Sequence, residues 1–552
     1  MNAEKRAELV TVKIDGIETQ VPAGTNLIEA ARSVGIDIPH YCYHPGLSIA
    51  ANCRMCLVET NKHPPGKLVP GCQIGAVDGM EVTTQSGRVK NQQRAVQELL
   101  LLHHPVDCPI CDQAGECRLQ DYYMEYDFQP SRLDSPKWMK NKRKILGPTI
   151  VLDQERCIMC TRCVRFMKEI AGDPVLGVFG RGTREVIDTF PGKELNNNYT
   201  GNIVDLCPVG ALLWRDNRFR ARAYFLTATP SICTGCERGC NVYADHFQGV
   251  TYRYRPRENT EVNQYWMCDL GRLSYHALHH ERLLEARVDG QAVEAEAALV
   301  EAGKRLSALG GKVAVVVSPV LSLENALAVM ALAKDGLGAS EIFVSGRPAG
   351  DADRLLLRGD RNPNRKGVEL AAQAFGLAVR PFEDVAKSKA KGVLFAGLEV
   401  PEAAEQVAGR LGGFELVVAM GTNASPLADA AHVVLPVATH VEDEGTFVNF
   451  QGRAQRFVRA YAPKGASRPA WDWACRLMRE LGHEMAWTSV REVWTDLGRK
   501  LPEGSLGVFD WNKTPRTREK GVTPLRGGTV DGRPAGLREL VPLRTSGGET
   551  AA

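Results

Sequence analysis

The sequence has no long hydrophobic run and no large excess of charge of either sign. Its 68 basic and 65 acidic residues leave a formal net charge of +3, which is too small to favour nucleic acid as a partner. The N-terminal residues lack the apolar stretch of a signal peptide, and the most apolar segments, such as Val313–Val317, are far too short to cross a bilayer. We therefore expect a protein of the reducing cytoplasm, with no membrane span of its own.

A glycine-rich dinucleotide turn after a strand is also missing, so we expect no recognisable nicotinamide or flavin site in this chain. A chain of 552 residues is too long for one core and predicts several domains. In a reducing compartment, thiols are more often metal ligands than disulfide partners. The 16 cysteines are therefore candidate metal ligands.

Fifteen of these cysteines form four groups, each with the spacing of an iron–sulfur ligand set. The first two groups are Cys42, Cys53, Cys56 and Cys72, and then Cys108, Cys111 and Cys117 with His104 before them. The other two are Cys157, Cys160, Cys163 and Cys207, and then Cys233, Cys236, Cys240 and Cys268. Four metal centres so close in sequence indicate a path for electrons.

The first two groups each have a competing interpretation. The first predicts a [2Fe–2S] cluster, with small residues such as Gly46, Ala50 and Ala51 letting backbone amides approach the sulfurs; a four-cysteine zinc site is the alternative. The second predicts a [4Fe–4S] cluster completed by an imidazole, against a zinc site of three cysteines and one histidine. His103 is the rival nitrogen, and the spacing favours His104.

The third group is a compact C-x2-C-x2-C run with a remote Cys207-Pro208. Because a second full run is missing, it predicts a single [4Fe–4S] cluster. The fourth group predicts another [4Fe–4S] cluster. Cys475, the one cysteine left over, lies in a helical stretch with apolar neighbours, and we interpret it as a small buried hydrophobe.

Local patterns predict the N-terminal elements. Residues 10–21 alternate as in two strands joined by an Asp15-Gly16 hairpin turn. Asn26 and the following residues resemble a capping box that opens a helix over Leu27–Val34. This order predicts a β-grasp fold like that of plant-type ferredoxins. Next, Arg88–His103 predicts a helix whose leucines pack inward and which delivers His104 to the second site.

From Lys312 onward, strand-like and helical runs alternate. This βαβα pattern predicts a parallel sheet with helices on both faces. The predicted strands are Val313–Val317, Glu341–Val344, Val393–Phe395 and Leu416–Ala419, and the predicted helices are Leu323–Lys334 and Pro401–Leu411. Residues 501–552, rich in Gly, Pro, Arg and Thr, predict an extended tail.

Four segments occur in an order that resembles a known family. They are Tyr41–Glu59, His103–Cys117, Cys157–Phe166 and Gly201–Leu212. Together they resemble the large iron–sulfur (G, or 75 kDa) subunit of respiratory complex I, the NADH:quinone oxidoreductase, over residues 8–280. The resemblance implies one [2Fe–2S] cluster on the first cysteine group and three [4Fe–4S] clusters on the others. The fourth cluster is found in only part of that family and is regarded there as off the main path.

The C-terminal half resembles the molybdopterin oxidoreductases, as in Asp429–Gln455. Enzymes of that superfamily commonly place a lysine two residues after the last cluster cysteine, where this chain has Leu270. They also commonly bind the metal through Cys, selenocysteine or Ser, and no cysteine occurs between Asp269 and Ala474. We therefore expect no molybdopterin, and a domain retained as a scaffold.

The expected domains follow these assignments. They are a [2Fe–2S] β-grasp domain at 8–87, a [4Fe–4S] segment with one histidine and three cysteine ligands at 88–127, a ferredoxin-type domain at 148–222, a molybdopterin-oxidoreductase-type [4Fe–4S] domain at 226–281, a shortened molybdopterin-oxidoreductase-like α/β domain at 282–500 and the tail at 501–552. The overall expectation is a multidomain α/β protein.

The function implied by the resemblance is electron relay inside complex I, with no residue of this chain acting in acid–base catalysis. A flavin- and NADH-binding partner would deliver single electrons to the first group, and they would leave through the third toward other iron–sulfur subunits and quinone. The chain would lie on the cytoplasmic side of the bacterial inner membrane, held by partners.

Three alternatives remain. An α subunit of an NAD-linked formate dehydrogenase would need a second ferredoxin run, a metal-ligating residue and a longer catalytic domain. An iron hydrogenase would need more cysteines after Cys268 than the single one present. A zinc-stapled interaction scaffold would contain no acid-labile sulfide.

Overall fold

A computed structural model describes residues 8–401, 403–507 and 509–511, with the short strands Thr529–Val530 and Arg533–Pro534. The described residues form two compact units, the first ending at Thr227 and the second beginning at Ala228. The predicted tail lies outside the described residues from position 512 onward, apart from those two short strands. None of the helices in the described part of the chain combines the length and hydropathy that crossing a membrane requires.

The first unit is built from short strands and short helices. Its strands are β1 (Leu9–Ile14), β2 (Ile17–Pro22), β3 (Leu57–Thr60), β4 (Val69–Pro70), β5 (Met80–Thr83), β6 (Lys144–Ile145), β7 (Ile150–Leu152), β8 (Leu176–Phe179), β9 (Val186–Thr189) and β10 (Leu212–Trp214). Its helices are α1 (Leu27–Ser33), α2 (Gly87–Leu101), α3 (Arg118–Tyr122), α4 (Arg162–Glu169) and α5 (Asn202–Leu206).

The N-terminal sheet has the predicted β-grasp arrangement. Its strand order is β2-β1-β5-β3-β4, with β1 antiparallel to β2 and parallel to β5. The turn between β1 and β2 has positive φ at Asp15 (47°) and at Gly16 (88°), as an Asp-Gly hairpin turn requires. Helix α1 opens where the Asn26 side chain accepts a hydrogen bond from the Glu29 amide at 3.1 Å. It ends one residue before the predicted Val34, which caps it.

Helix α2 differs from its prediction in both its bounds and its buried face. It runs over Gly87–Leu101, so His104 lies beyond its end. The leucines were predicted to pack inward, and this is wrong, because Leu99 is 66% exposed. The buried stripe includes Gln93 and Gln97. Gln97 faces inward because it accepts a hydrogen bond from the Tyr41 hydroxyl at 2.5 Å and donates one to the Leu119 carbonyl at 2.9 Å.

Short helices and small sheets surround the third cysteine group. Strands β10, β7 and β6 form an antiparallel sheet in that order, and β8 and β9 form a hairpin. Helix α4 begins within the C-x2-C-x2-C run, at Arg162, and contains Cys163, whereas α5 ends just before Cys207. Both helices are too short to be stable alone, so their packing against these strands holds the cysteine loops in place.

The second unit contains the following elements. Its strands are β11 (Thr227–Ile232), β12 (Asn241–Phe247), β13 (Val250–Pro256), β14 (Ala286–Val288), β15 (Gln291–Val293), β16 (Val313–Val317), β17 (Glu341–Val344), β18 (Ala378–Pro381), β19 (Gly392–Ala396), β20 (Leu416–Gly421), β21 (Val433–Pro436), β22 (Gly445–Val448) and β23 (Ala454–Phe457). Its helices are α6 (Asp269–Leu273), α7 (Ala295–Ala308), α8 (Leu323–Ala331), α9 (Arg365–Ala374), α10 (Ala404–Arg410), α11 (Pro426–Asp429), α12 (Ala470–Glu480) and α13 (Val490–Leu497).

An eight-stranded sheet organises this unit, in the order β15-β14-β21-β20-β19-β16-β17-β18. The six strands from β21 to β18 pair in parallel, as predicted, whereas β14 and β15 add an antiparallel edge. Successive residues of β16 pack into two cores on opposite faces, Val315 with helices α7, α8 and α12 and Val316 with α10 and α11. The predicted α/β fold with helices on both faces is confirmed.

Residues around Trp511 pack back onto this unit. The Trp511 side chain is 2% exposed, stacks on Trp494 and lies beneath the Arg456 guanidinium, 3.6 Å from the ring centroid. Its indole nitrogen donates to the fully buried Glu324 carboxylate at 2.9 Å. Glu324 also accepts two hydrogen bonds from Thr446, so the carboxylate is held by three donors.

Candidate metal centres

The first cysteine group is arranged as two pairs. The Cys53 thiol hydrogen-bonds to Cys42, and this bond lowers the pKa of Cys42 to about 5 while it raises the pKa of Cys53. Cys56 and Cys72 form a second bonded pair in the same way. A [2Fe–2S] cluster needs four thiolates, two for each iron. Two adjacent pairs therefore fit that cluster.

The loop before Cys53 brings backbone amides to the sulfur of Cys42. The amides of Asn52 and Cys53 donate to that sulfur, which becomes possible because Ala51 takes a left-handed conformation with φ 49°. Amide hydrogen bonds to a thiolate stabilise its negative charge and tune a cluster bound there. Ala51, one of the small residues singled out in the sequence, thus lies where the loop brings amides to the sulfur; the roles of Gly46 and Ala50 stay predictions.

The second group lies partly at the surface. Cys111 and Cys117 are buried and Cys108 is exposed, and burial raises the pKa values of Cys111 and Cys117. Burial, with help from the Arg156 and Lys137 charges, lowers the pKa of His104 to about 4. His104 is therefore a neutral imidazole at pH 7, the form that binds metals.

The neighbouring His103 is engaged elsewhere. Its Nδ1 accepts a hydrogen bond from the Trp138 backbone amide at 3.3 Å, and its ring packs edge-to-face on the Trp138 ring. Arg156, in contrast, acts electrostatically on both His104 and Cys111. These contacts favour His104 as the nitrogen associated with the second group.

All four members of the third group line one small cavity. This cavity of about 20 Å³ is bounded by Cys157, Cys160, Cys163 and Cys207 together with apolar side chains such as Leu152 and Ile187. Burial raises the pKa of Cys157 to about 12 and of Cys207 to about 11. The amides of Val209, Ala211 and Leu212 donate to the Cys207 sulfur. Thiols that are costly to ionise in a dry pocket ionise readily only when a cation binds there.

The second and third groups are in contact. The residue after Val209 is Gly210, and a Cβ atom there would lie 2.2 Å from the Cys111 sulfur. The Pro208 carbonyl accepts a hydrogen bond from the Arg118 amide at 3.1 Å, which is next to Cys117. Only a glycine allows the two cysteine loops to approach this closely.

The first and third groups are linked through helix α4. Its first residue, Arg162, is 4% exposed and donates to the backbone carbonyls of Tyr43 and, at 3.1 Å, Leu206. Tyr43 follows Cys42, and Leu206 precedes Cys207. A buried guanidinium therefore joins a residue next to a ligand of the first group to a residue next to a ligand of the third.

The fourth group belongs to the second unit, and two glycines, Gly235 and Gly271, lie directly against its sulfurs. A Cβ atom at Gly271 would lie 2.8 Å from the Cys233 sulfur and 3.4 Å from the Cys268 sulfur. The amides of Gly235 and Gly271 donate to these sulfurs, at 3.4 Å and 3.3 Å. Burial raises the pKa of Cys268 to about 12. The glycines leave room and donors where a cluster would lie.

Two observations concern the other candidate residues. Cys475 is 1% exposed within the main core, which agrees with its interpretation as a small hydrophobe. In the ranges that the structure describes, no three His, Cys, Asp or Glu side chains converge on a point where they could bind one metal ion. The ligands of an iron–sulfur cluster bind different iron atoms. The relevant observations are therefore that the cysteines lie in pairs and that they enclose a cavity.

A larger cavity lies at the carboxyl ends of the parallel strands. It measures about 90 Å³ and is lined by residues that include Thr234, Arg347, Glu399 and His440. Ligands of open α/β sheets bind at such an edge. The volume is well below the roughly 300–1,000 Å³ of typical small-molecule sites.

Sequence reasoning missed the residues that join the groups. Arg162 and Gly210 contact residues about one hundred positions away in the chain, and no local pattern points to such partners. A signal did exist for Arg162, which lies within the cysteine run between Cys160 and Cys163. An arginine there is a natural donor to neighbouring carbonyls.

Known protein families match the chain in the same order as the four cysteine groups. The family models that match are 2Fe-2S iron-sulfur cluster binding domain (residues 7–87), NADH-ubiquinone oxidoreductase-G iron-sulfur binding region (93–132), NADH-quinone oxidoreductase subunit 3, ferredoxin-like domain (147–213), Molybdopterin oxidoreductase Fe4S4 domain (226–280) and Molybdopterin oxidoreductase (296–480). The chain is similar to the G subunit of NADH-quinone oxidoreductase. It contains a 2Fe-2S domain and 4Fe-4S domains.

Relatives named for this subunit come from several organisms. The G subunit of NADH-quinone oxidoreductase from Streptomyces coelicolor is 35% identical over 79% of this chain and 53% of its own length. The NADH-ubiquinone oxidoreductase 75 kDa subunit of Reclinomonas americana is 43% identical over 50% of this chain and 39% of its own length. The G subunit from Mycobacterium bovis is 37% identical over 64% of this chain and 45% of its own length.

The chain spans about half the length of the curated relatives it matches. Their names do not favour the formate dehydrogenase alternative. Among solved structures, an NAD+-reducing [NiFe]-hydrogenase in the H2-reduced state matches at 27% identity, covering 38% of this chain and 90% of that one. The TM-score is 0.33, too low to bear on the fold.

Proposed function

We propose that this chain is the electron-relay iron–sulfur subunit of an NADH:quinone oxidoreductase. The observation that carries the proposal is the third group, whose four cysteines line one cavity. The loop of this group meets the second group at Gly210, and Arg162 ties it to the first. Three cysteine groups in mutual contact suit a path for electrons better than they suit three separate structural zinc sites.

The residues that would hold the clusters are those predicted from spacing. Cys42, Cys53, Cys56 and Cys72 would hold one [2Fe–2S] cluster; three [4Fe–4S] clusters would be held by His104, Cys108, Cys111 and Cys117, by Cys157, Cys160, Cys163 and Cys207, and by Cys233, Cys236, Cys240 and Cys268. When bound, such clusters accept and give up single electrons. The protein contributes ligation, burial and fixed spacing.

In this proposal electrons pass from the first group to the third and from the third to the second. At the outer end, Cys108 is exposed, and its neighbours Val106 and Ile110 are 84% and 62% exposed. Exposed apolar side chains around a ligand are typical of a surface that a partner covers. We therefore assign the exit toward the next subunit to the second group, rather than to the third group as the sequence suggested.

The partners in this proposal are a flavin- and NADH-binding subunit and further iron–sulfur subunits of the peripheral arm. The chain would be held peripherally on the cytoplasmic side of the membrane through them. We expect no pterin in the second unit, because Leu270 takes the usual lysine position and no cysteine occurs between Asp269 and Ala474. The role of that unit is to enclose the fourth group and to support neighbouring subunits.

Metal analysis of the anaerobically purified full chain tests the cluster assignment. We expect about fourteen iron atoms, with matching acid-labile sulfide, per chain, and a loss of about four in Cys108→Ser. Cys475→Ser is the matched control, since Cys475 lies outside the groups and should leave the iron content unchanged. Zinc without sulfide in the wild-type chain would contradict the proposal.

A further inference from the structure

A second arginine of α4 touches two of the predicted ligand residues at once. One terminal nitrogen (Nη2) of Arg165 donates to the backbone carbonyl of Cys42 at 2.6 Å and to that of Cys160 at 3.3 Å. Its other terminal nitrogen donates to the Ser48 carbonyl. Cys42 belongs to the first group and Cys160 to the third, so one guanidinium group spans both sites.

The loop between Cys42 and Cys53 is hydrogen-bonded to the region of the third group at two further points. The Glu169 carboxylate, one turn after Arg165, accepts hydrogen bonds from the amide and the hydroxyl of Ser48. The Asn52 side chain donates to the Met159 carbonyl at 3.3 Å. The loop from Cys42 to Asn52 is therefore held against the segment of the third group by these hydrogen bonds, and the Arg165 side chain makes two of them.

The geometry depends on the chemistry of arginine. Its planar fork presents several N–H donors in fixed directions, so it can satisfy three carbonyls on two loops at once, whereas a lysine ammonium is a single point charge on a flexible stem. The charge of Arg165 also acts on both the Cys42 and the Cys160 thiols. A cation between two negatively charged sites stabilises added electrons at each of them.

We propose that Arg165 is a positioning residue shared by the first and third centres, holding them at a fixed separation and raising the reduction potential of both. The inference rests on the proposed function. In a transfer between the two centres, one electron leaves the first, which is oxidised, and reduces the third, and no atom or proton is exchanged.

Two substitutions separate the effect of the Arg165 charge on the reduction potentials from the effect of its hydrogen bonds on the spacing of the centres. Arg165→Gln removes the charge and most of the fork, so both reduction potentials should shift negatively and transfer between the centres should slow. Arg165→Lys keeps the charge, so the potentials should stay close to wild type while transfer still slows. Lys168→Gln is the matched control: it removes one positive charge from an exposed position of the same helix and should change neither quantity.

The measurements are made on the complete assembled complex. Iron and sulfide content is determined first, then the potentials of both centres by redox titration with electron paramagnetic resonance, then the order of reduction by freeze-quenching after an NADH pulse. If Arg165→Gln loses a cluster, the Lys variant still reports the transfer rate. The inference would be overturned if Arg165→Gln kept all its clusters with unchanged reduction potentials and Arg165→Lys kept the wild-type rate of electron transfer. A change of reduction potential at only one of the two centres would overturn it too. A wild-type complex without clusters would instead refute the proposed function.

Discussion

Gly210 offers a direct test of how closely the second and third cysteine groups are packed. A Cβ atom at this position would lie 2.2 Å from the Cys111 sulfur and 3.0 Å from the Gln113 Cβ, whereas ordinary contacts begin at 3.4 Å. In Gly210→Ala the sulfur would have to move by about 1.2 Å, the difference between 3.4 and 2.2 Å. Overpacking of this kind costs about 1–3 kcal/mol. Displacing a ligand sulfur should in addition weaken or empty the second site.

The assay compares Gly210→Ala with Gly87→Ala in the purified chain. Gly87 is the first residue of α2, is exposed, and has open space around the position of a Cβ atom, so alanine there should be neutral or slightly stabilising. For Gly210→Ala we expect an altered or missing resonance signal from the second centre, with up to about four irons lost, and a lower thermal midpoint. Full iron content, an unchanged signal and a midpoint equal to that of the control would refute the close packing.

Three further outcomes are expected. Cys160→Ser should abolish NADH-to-quinone electron flow while NADH oxidation by an artificial acceptor at the flavin partner survives; loss of both activities at normal assembly would count against the relay. His104→Cys should retain a cluster but lower its potential, because an anionic thiolate replaces a neutral imidazole, and an unchanged potential and resonance signal would mean that His104 is not the ligand. Elemental and pterin analysis of the full chain should find neither molybdenum nor pterin in the second unit; about one molybdenum or tungsten atom per chain, or reduction of the clusters by formate, would show the sheet-edge cavity to be a working cofactor site.

Elements set by local pattern were predicted well. Strands β16 and β17 have the predicted bounds, because short continuous runs of apolar residues, rich in β-branched or aromatic side chains and bounded by turns, are typical of buried strands. The β1–β2 hairpin follows from its Asp-Gly turn. Helix ends were less accurate: α8 stops at Ala331, and a wider turn closed by the Leu337 amide on the Leu332 carbonyl at 2.9 Å takes its place.

The contacts between the candidate centres could not be predicted. Cysteine spacing reflects loops that each fold around one site, so it reveals which residues belong together. The choice of α2's buried face depends on Tyr41 and Leu119, and the roles of Arg165 and Gly210 depend on carbonyls and sulfurs far away in the chain. Such pairings arise only when separate segments pack, and a single sequence carries no record of them.

The Trp511 anchor has a consequence for the order in which the chain is made. Glu324 is synthesised 187 residues before the indole that donates to it, and a buried carboxylate that lacks a donor is costly. Until Trp511 has left the ribosome, the core around α8 is therefore open on one side, with the Trp494 ring uncovered. Domains generally fold as units during synthesis, so the second unit should reach its stable form only after Trp511 has emerged from the ribosome. Nascent chains stalled before Phe509 should be far more sensitive to protease than chains stalled well beyond Trp511.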